Sequence, residues 1–458
     1  MTDVRHDLKR VLDLKDTLAL AFGAMVGWSW VILSGTWIDN GGSLGAVLGF
    51  VLAGLPIMLM GLLYAELASA MPVVGGEHAY SLRALGRPGA FVCTWAIVFV
   101  YGSVCAFEAV ALPTVVEYWF PGYPVGYLWT VAGWDVYASW AVVGMIGAAA
   151  VTAINYVGVK TSAVVQATVS LLILAAGLLL LSGALFEGAP GNLQPLFHNG
   201  LAGIFAVAVM APFMFVGFDV IPQAAEEIHL PARSIGRVLV GSIAMALAWY
   251  ALVILAVALL VPAAGPRGGA SGGLVTADAA AAAWGPVGGH LLVLGGVGGI
   301  ITSWNAFLVG GSRAIYAMAA HGMLPAWLGR LHPKYRTPGN AILALGLLTM
   351  AAPFFGRVLL VWIVDAGSFA VVIAYLLVAV SFLRLRRAEP AMPRPFRLAH
   401  GEAIGWLALL GSLGLLALYL PGSPSALLWP IEWGLVLLWF VLGLGFYAWA
   451  RRANARSR

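Results

Sequence analysis

Gly23-Ala24-Met25-Val26-Gly27-Trp28-Ser29-Trp30 lies in the middle of an apolar run that extends from about residue 17 to 38. Two glycines and a serine in eight residues weaken a helix where a membrane helix would be half-way across. A second interruption, Phe213-Met214-Phe215-Val216-Gly217-Phe218-Asp219, sits in the sixth apolar run between Pro212 and Pro222. An interrupted helix leaves amide N–H groups free at one end and carbonyls at the other. The first favours a carboxylate and the second an ammonium. A zwitterion satisfies both with no formal protein charge. The alternative is that Gly and Pro here only permit close helix packing.

Composition sets the frame around these two stretches. Only 43 of 458 residues are Asp, Glu, Lys or Arg, and 62% are hydrophobic. Soluble domains carry about 25% charged residues, so a soluble fold is excluded, as is disorder, which requires few apolar residues. The reading is an all-α polytopic membrane protein, since backbone groups in lipid must be satisfied within the segment. Twelve spans are expected, at about 17–38, 44–70, 89–119, 136–156, 162–185, 201–222, 236–262, 287–319, 340–355, 358–382, 403–420 and 427–450. Residues 1–16 and 451–458 then form tails, and no cleavable signal precedes the first span. With this topology 22 Lys and Arg fall on the side of the termini and two, Arg267 and Arg357, on the other. That asymmetry places both termini in the cytoplasm of a multi-pass cell-membrane protein. The basic residues are therefore topology signals, and nucleic acid is not an expected partner. Cys93 and Cys105 are twelve helical residues apart, about 18 Å, too far for a disulfide. No metal-ligand spacing and no cofactor motif is present, and no nucleophile–base pair suggests an enzyme.

Spans 1 and 6 open two five-helix units, and interrupted helices in corresponding positions point to a transporter site between inverted repeats. Three further stretches carry a family resemblance. The first is Tyr64-Ala65-Glu66-Leu67-Ala68-Ser69-Ala70-Met71-Pro72-Val73-Val74-Gly75-Gly76-Glu77-His78-Ala79-Tyr80. The second is Phe215 to Asp219 followed by Ala225-Glu226-Glu227 and Pro231-Ala232-Arg233-Ser234-Ile235. The third runs from Ser312-Arg313-Ala314-Ile315-Tyr316 through Gly322-Met323-Leu324-Pro325 to His332-Pro333-Lys334-Tyr335-Arg336-Thr337-Pro338. With them the chain resembles the amino acid–polyamine–organocation superfamily, of the amino acid permease type. The resemblance implies a LeuT-like 5+5 inverted repeat over residues 17–186 and 187–385, with two C-terminal helices over 386–450. It also implies a substrate held between helices 1, 6, 3, 8 and 10, and alternating access by proton symport, exchange or facilitated diffusion.

Carried over residue by residue, the resemblance nominates a substrate site. The family's first-helix pattern is Gly-x-x-x-Gly-Ser-Gly-Ile, whose turn amides take a carboxylate. Here Gly23 and Gly27 match, whereas Trp28 and Ser29 replace the Ser and the second Gly, with Trp30 next. The two indoles either narrow the pocket and stack on a cation or pack against neighbouring helices. On helix 6, Phe213 matches an aromatic gate, and Phe215, Val216 and Gly217 would offer carbonyls to an amine. Asp219 is a proton-coupling or gating candidate, or else a carboxyl that fastens the broken helix. Glu108, mid-way along span 3, either faces the pocket, where it binds an ammonium or a proton, or is a paired structural carboxyl. Trp304, Asn305 and Phe307 stand where relatives contribute substrate contacts, or else pack. His290 and Asp365 read as interfacial and gating residues, and Glu66, Glu77, Glu226, Glu227, Arg233 and Arg313 as inner-gate or structural ion pairs. Helix 5, Gln166 to Leu174, lacks the lysine that proton-coupled relatives carry, and Asn305 to Gly311 offers no Ser/Thr pair for sodium. The function expected is a secondary transporter of an amino acid, neutral rather than charged. An organic amine or polyamine is the alternative substrate, and a non-transporting sensor is the remote one.

Overall fold

The computed structural model describes residues 14–73, 75–158, 160–223, 231–262 and 274–456. The first apolar run is broken twice. Helix α1 spans Leu14–Met25, α2 is a single turn over Ser29–Ile32, and α3 covers Ser34–Gly41. The axis bends by 66° between Ala21–Ile32 and Ser34–Gly41. The long helices α4 (Ser43–Ala70) and α5 (Glu77–Trp119) follow. In α5 the non-helical Gly86, at φ 73°, separates a short leading helix from the expected span. Only glycine takes that φ readily, and Pro88 then suits the first turn of the resumed helix.

A two-stranded antiparallel hairpin, β1 (Tyr127–Val131) and β2 (Trp134–Tyr137), precedes α6 (Ala138–Val157) and α7 (Lys160–Glu187). The second interrupted run divides into α8 (Gly200–Phe215) and the one-turn α9 (Val220–Gln223). Then come α10 (Ala232–Leu260) and α11 (Val275–Ala320), the latter kinked at Gly285 just before Pro286. The chain closes with α12 (Gly339–Ala351), α13 (Leu359–Ala388), α14 (Gly401–Leu418) and α15 (Ile431–Arg456).

Among the described residues, ten helices are long and apolar enough to cross a membrane, the bent pair at the start passes the same test only when taken as one span, and Gly339–Phe355 is a shorter apolar segment. The expected breaks therefore fall where the glycines lie. The sequence expectation differs at the third and eighth spans, which carry helical lead-ins over 77–85 and 275–284 that charge and alanine content obscured.

Burial separates centre from periphery. The apolar window of α5 is 94% buried, against 17% for α15. The broken segments stand among the buried helices: α1 packs on α7, α10, α11 and α9, while α8 packs on α4, α13 and α3. Glycines on α11 set the closest approaches. Gly299 lies against the Gly27 carbonyl at 2.5 Å from where its Cβ would be. Gly296 sits on the Trp28 ring and Gly295 on Ala176 of α7. Small residues at such crossings let helix backbones meet without a lipid-driven hydrophobic force.

One edge is fastened by charge. Glu66, at the end of α4, is 1% exposed and accepts a two-pronged bond from Arg386 at 2.9 and 2.7 Å. Arg394 approaches it at 3.2 Å, and the Leu398 amide donates to it at 2.8 Å. The expected structural ion pair at Glu66 is thus made with α13 and the segment after it. Arg83 donates to Glu389, and those bonds hold the exposed Glu389 carboxyl below the usual carboxylate range. Glu226 and Glu227, and the side chain of Arg233, lie outside the described residues. Glu77 is fully buried with no hydrogen-bond partner on either oxygen among the described residues.

Candidate functional site

The two breaks touch. A Cβ on Gly217 would lie 2.8 Å from the Met25 amide nitrogen and 2.9 Å from the Ala24 carbonyl carbon. Gly217 itself has φ +133°, closed to ordinary L side chains. Its amide donates to Asp219 Oδ1 at 2.8 Å, so the carboxyl caps the loop between α8 and α9. Asp219 Oδ2 has no partner among the described residues and faces Tyr64, Tyr101 and Tyr375 electrostatically.

The ends of α1 and α2 are held by side chains. Tyr250 on α10 donates to the Met25 carbonyl at 2.6 Å and lies 3.3 Å from the Ser29 hydroxyl. Thr302 on α11 donates to the Gly23 carbonyl at 3.0 Å. Glu108 on α5 accepts from the Ser303 hydroxyl, and a Cβ on Gly27 would meet Glu108 Oε1 at 2.6 Å. A glycine at 27 is what allows the carboxyl to reach the break.

Between these groups lies a cavity of about 20 Å³, enough for about one water. Its walls are Gly27 and Ser29 from the first break, Glu108 from α5, Phe213 and Val216 at the second break, and Ser303 and Phe307 from α11, with Ala24, Met25, Val104, Phe107 and Met214 beside them. Of the sequence-nominated residues, Gly27, Ser29, Glu108, Phe213, Val216 and Phe307 are therefore brought together. The Phe213 ring lies tilted against Phe107, 6.0 Å between centroids, and its amide donates to the Ser368 hydroxyl oxygen at 3.1 Å.

Six residues nominated for substrate contact are not on this wall. Trp28 is buried against Gly296 on α11. Trp30 meets Trp249 edge-on at 5.4 Å. Trp304 lies beside Gly147 of α6, and Phe215 meets Phe50 and Tyr250. Gly217 backs onto α1. The indoles have the volume to fill gaps left by glycines on facing helices, so packing claims them. Asn305 accepts from Asn155 at 3.0 Å, an α6–α11 contact. His290 packs on Tyr118 and Trp119.

Sequence reasoning missed Ser303, Thr302 and Tyr250. A hydroxyl pair was sought over 305–311, whereas Thr302-Ser303 sits immediately before Trp304, at i+3 and i+4 from Gly299. That spacing from the helix-packing glycines was the available signal. Tyr250 had none, since a tyrosine in an apolar run reads as an interface anchor.

The structure thus holds paired breaks, a polar contact to each and aromatic side chains beside them. The amino acid permease family profile matches residues 16–456. The chain belongs to the amino acid permease family. It is 27% identical to the branched-chain amino acid permease BcaP of Bacillus subtilis (strain 168), over 99% of this chain and 96% of that protein. It is 25% identical to the methylthioribose transporter of the same organism, over 98% and 95%. With the lysine-specific permease LysP of Escherichia coli (strain K12) it shares 24%, over 83% and 79%. The family consists of transporters, so this permease is a membrane transport protein and not an enzyme.

Proposed function

We propose that this permease is a secondary transporter that moves an amino acid, neutral rather than charged, by alternating access across the cell membrane. The carrying observation is the contact between the two breaks at Gly217 and Ala24–Met25, beside a cavity reached by Glu108, Ser303 and Phe213. Peptide groups at facing helix ends, once they exchange their present hydroxyl partners, suit a zwitterion, and the aliphatic and aromatic remainder of the wall suits an apolar side chain. A cavity of about 20 Å³ is too small for an amino acid, which fits a closed state of a cycle that must open to load.

The twelve-crossing arrangement is part of this reading. Ten apolar helices, the bent pair and Gly339–Phe355 supply the crossings. The units are 17–186 and 187–385, with 386–450 appended, and both termini are cytoplasmic by the distribution of basic residues. Asp219 and Glu108 are the proton-coupling candidates, the first capping a break and the second touching one.

One observation favours an organic amine instead. Glu108 brings a carboxyl to within a methyl's width of Gly27, where a substrate carboxylate would otherwise lie. Counterflow in liposomes separates the two. Labelled leucine exchanging against unlabelled leucine supports the first reading. Exchange of a polyamine with no exchange of leucine replaces it, and binding without exchange makes the protein a sensor.

A further inference from the structure

Basic residues gather where α13 ends and α14 begins. Arg384, Arg386 and Arg387 lie near the end of α13, and Arg394 and Arg397 lie in the segment that leads to α14. The carboxylates set against them do not use every donor. Arg386 gives its Nε and Nη2 to Glu66, and Nη2 also donates to the Leu398 carbonyl at 2.7 Å. Its Nη1 group has no partner among the described residues. Arg387 pairs with Glu402 at 3.1 Å. Arg394 is fully engaged: besides Glu66 it donates to the Met392, Leu385 and Glu389 carbonyls, each at 3.1 Å, and so closes the end of α13. Arg397 is exposed and makes no hydrogen bond or ion pair among the described residues.

Arg386, Arg394 and Arg397 border one cavity of about 230 Å³, and Pro390 and Glu402 complete its wall. Arg394 lies within electrostatic range of the other two. Like charges around a hollow repel one another, and an anion between them relieves that repulsion. The start of α14 opens on the same place. Gly401 lies on the Arg386 guanidinium with no room for a Cβ, and no side chain caps the helix. The amides of a helix's first turn add to the preference for an anion. A guanidinium fork matches a phosphate better than a point charge does. The neighbouring surface sets the depth in the membrane. Arg387 lies over the Trp406 ring at 5.9 Å, and Trp406, Leu407 and Leu410 are all exposed on α14. An exposed tryptophan between basic residues and exposed leucines marks the level of lipid headgroups.

We propose that this cavity binds the phosphate of an anionic phospholipid from the leaflet on the side of the termini, with the Arg397 fork and the Arg386 Nη1 group on its oxygens. Basic pockets between membrane helices suit such headgroups. Glu402 is the one carboxylate on the wall, and Arg387 holds it. The bound headgroup braces the joint of α4, α13 and α14 that centres on Glu66, whatever substrate the central cavity takes. The test is the thermal midpoint of the full chain in dodecyl maltoside micelles doped with phosphatidylglycerol or with phosphatidylcholine, read as the rise each lipid causes in each variant. Phosphatidylglycerol should raise the midpoint and phosphatidylcholine should not. In Arg397→Gln the half-effective phosphatidylglycerol concentration should rise about fivefold, the effect of one arginine near an anionic lipid surface. Glu402→Gln removes the opposing carboxylate and should lower that concentration. Arg384→Gln loses the same charge from an exposed residue off the cavity wall and should leave it unchanged. Equal shifts in Arg397→Gln and Arg384→Gln overturn the site in favour of diffuse surface attraction, and equal rises with both lipids overturn it outright. Inorganic phosphate in lipid-free micelles that raises the midpoint as far as phosphatidylglycerol, and fails to do so in Arg397→Gln, assigns the cavity to a soluble anion and overturns the lipid.

Discussion

Gly217→Ala tests whether the two breaks work as one contact. The added methyl would sit 2.8 Å from the Met25 nitrogen, 2.9 Å from the Ala24 carbonyl carbon and 2.9 Å from the Ala24 Cβ. Two of these are backbone atoms, so no side-chain rotation relieves them, and α1 must shift. Overpacking of this kind costs about 1–3 kcal/mol. A non-glycine residue held at φ +133° adds about 1–3 kcal/mol of backbone strain. A combined cost near 3 kcal/mol corresponds to about a hundredfold loss of the state in which the breaks are packed. The assay is the initial rate of leucine counterflow in liposomes, with a monodisperse elution profile as the check on folding. Gly241→Ala is the control, because its Cβ would meet nothing within 4 Å and alanine is the better helix former by about 1 kcal/mol. It should be silent or stabilising. Gly217→Ala transporting within twofold of the wild type would refute the claim that contact between the breaks organises the site.

Other expected outcomes follow from the same coordinates. Gly27→Ala should lose transport and lower the thermal midpoint because its methyl meets Glu108 Oε1 at 2.6 Å and Ser303 Oγ at 2.9 Å, and Gly27→Ala/Glu108→Ala should recover part of the midpoint, since the nearer obstacle is the Glu108 side chain; a double variant with a midpoint as low as the single one rejects that cause. Glu66→Gln leaves Arg386 and Arg394 facing a neutral amide and should destabilise the detergent-purified protein by about 3–5 kcal/mol, read as a lowered thermal midpoint; an unchanged midpoint counts against the pair as a fastener. Asp219→Asn keeps an acceptor for the Gly217 amide but cannot exchange a proton, so transport should survive and lose its pH dependence. Wild-type transport that is flat from about pH 5 to 8 rejects the proton role outright.

How much of this was legible in the sequence depended on what each signal encodes. The breaks were readable because glycine acts on its own backbone, and the interruptions fall where Gly27 and Gly217 stand, each a few residues beyond the Gly23 and Pro212 that lie inside α1 and α8. The lead-in helices over 77–85 and 275–284 were not, because Gly86 and Gly285 divide segments whose leading halves are too polar or too alanine-rich to register as spans. Side-chain direction was the weakest part. Trp28, Trp30 and Trp304 were nominated for their chemistry, but which way an indole turns depends on where facing helices carry glycine, and Gly296 and Gly147 belong to other segments. Glu108 reaches the break because Gly27 leaves room for its carboxyl, and the Phe213 ring lies against Gly367 of α13.

The occupied break also changes what loading means energetically. The Met25 carbonyl already accepts from Tyr250, the Gly23 carbonyl from Thr302, and Glu108 already holds Ser303 beside Gly27. An arriving zwitterion therefore does not fill bare peptide dipoles; it exchanges partners with hydroxyls from α10 and α11. Each exchange nets only about 1 kcal/mol, as protein hydrogen bonds generally do. Tight binding is thus not what this geometry favours. It favours a substrate that trades places with these hydroxyls at nearly equal free energy, and two of the contacts tie the broken helix to its neighbours, one to α10 through Tyr250 and one to α11 through Thr302. Under the proposed alternating access, releasing those ties on loading would free α1 to move against α10 and α11.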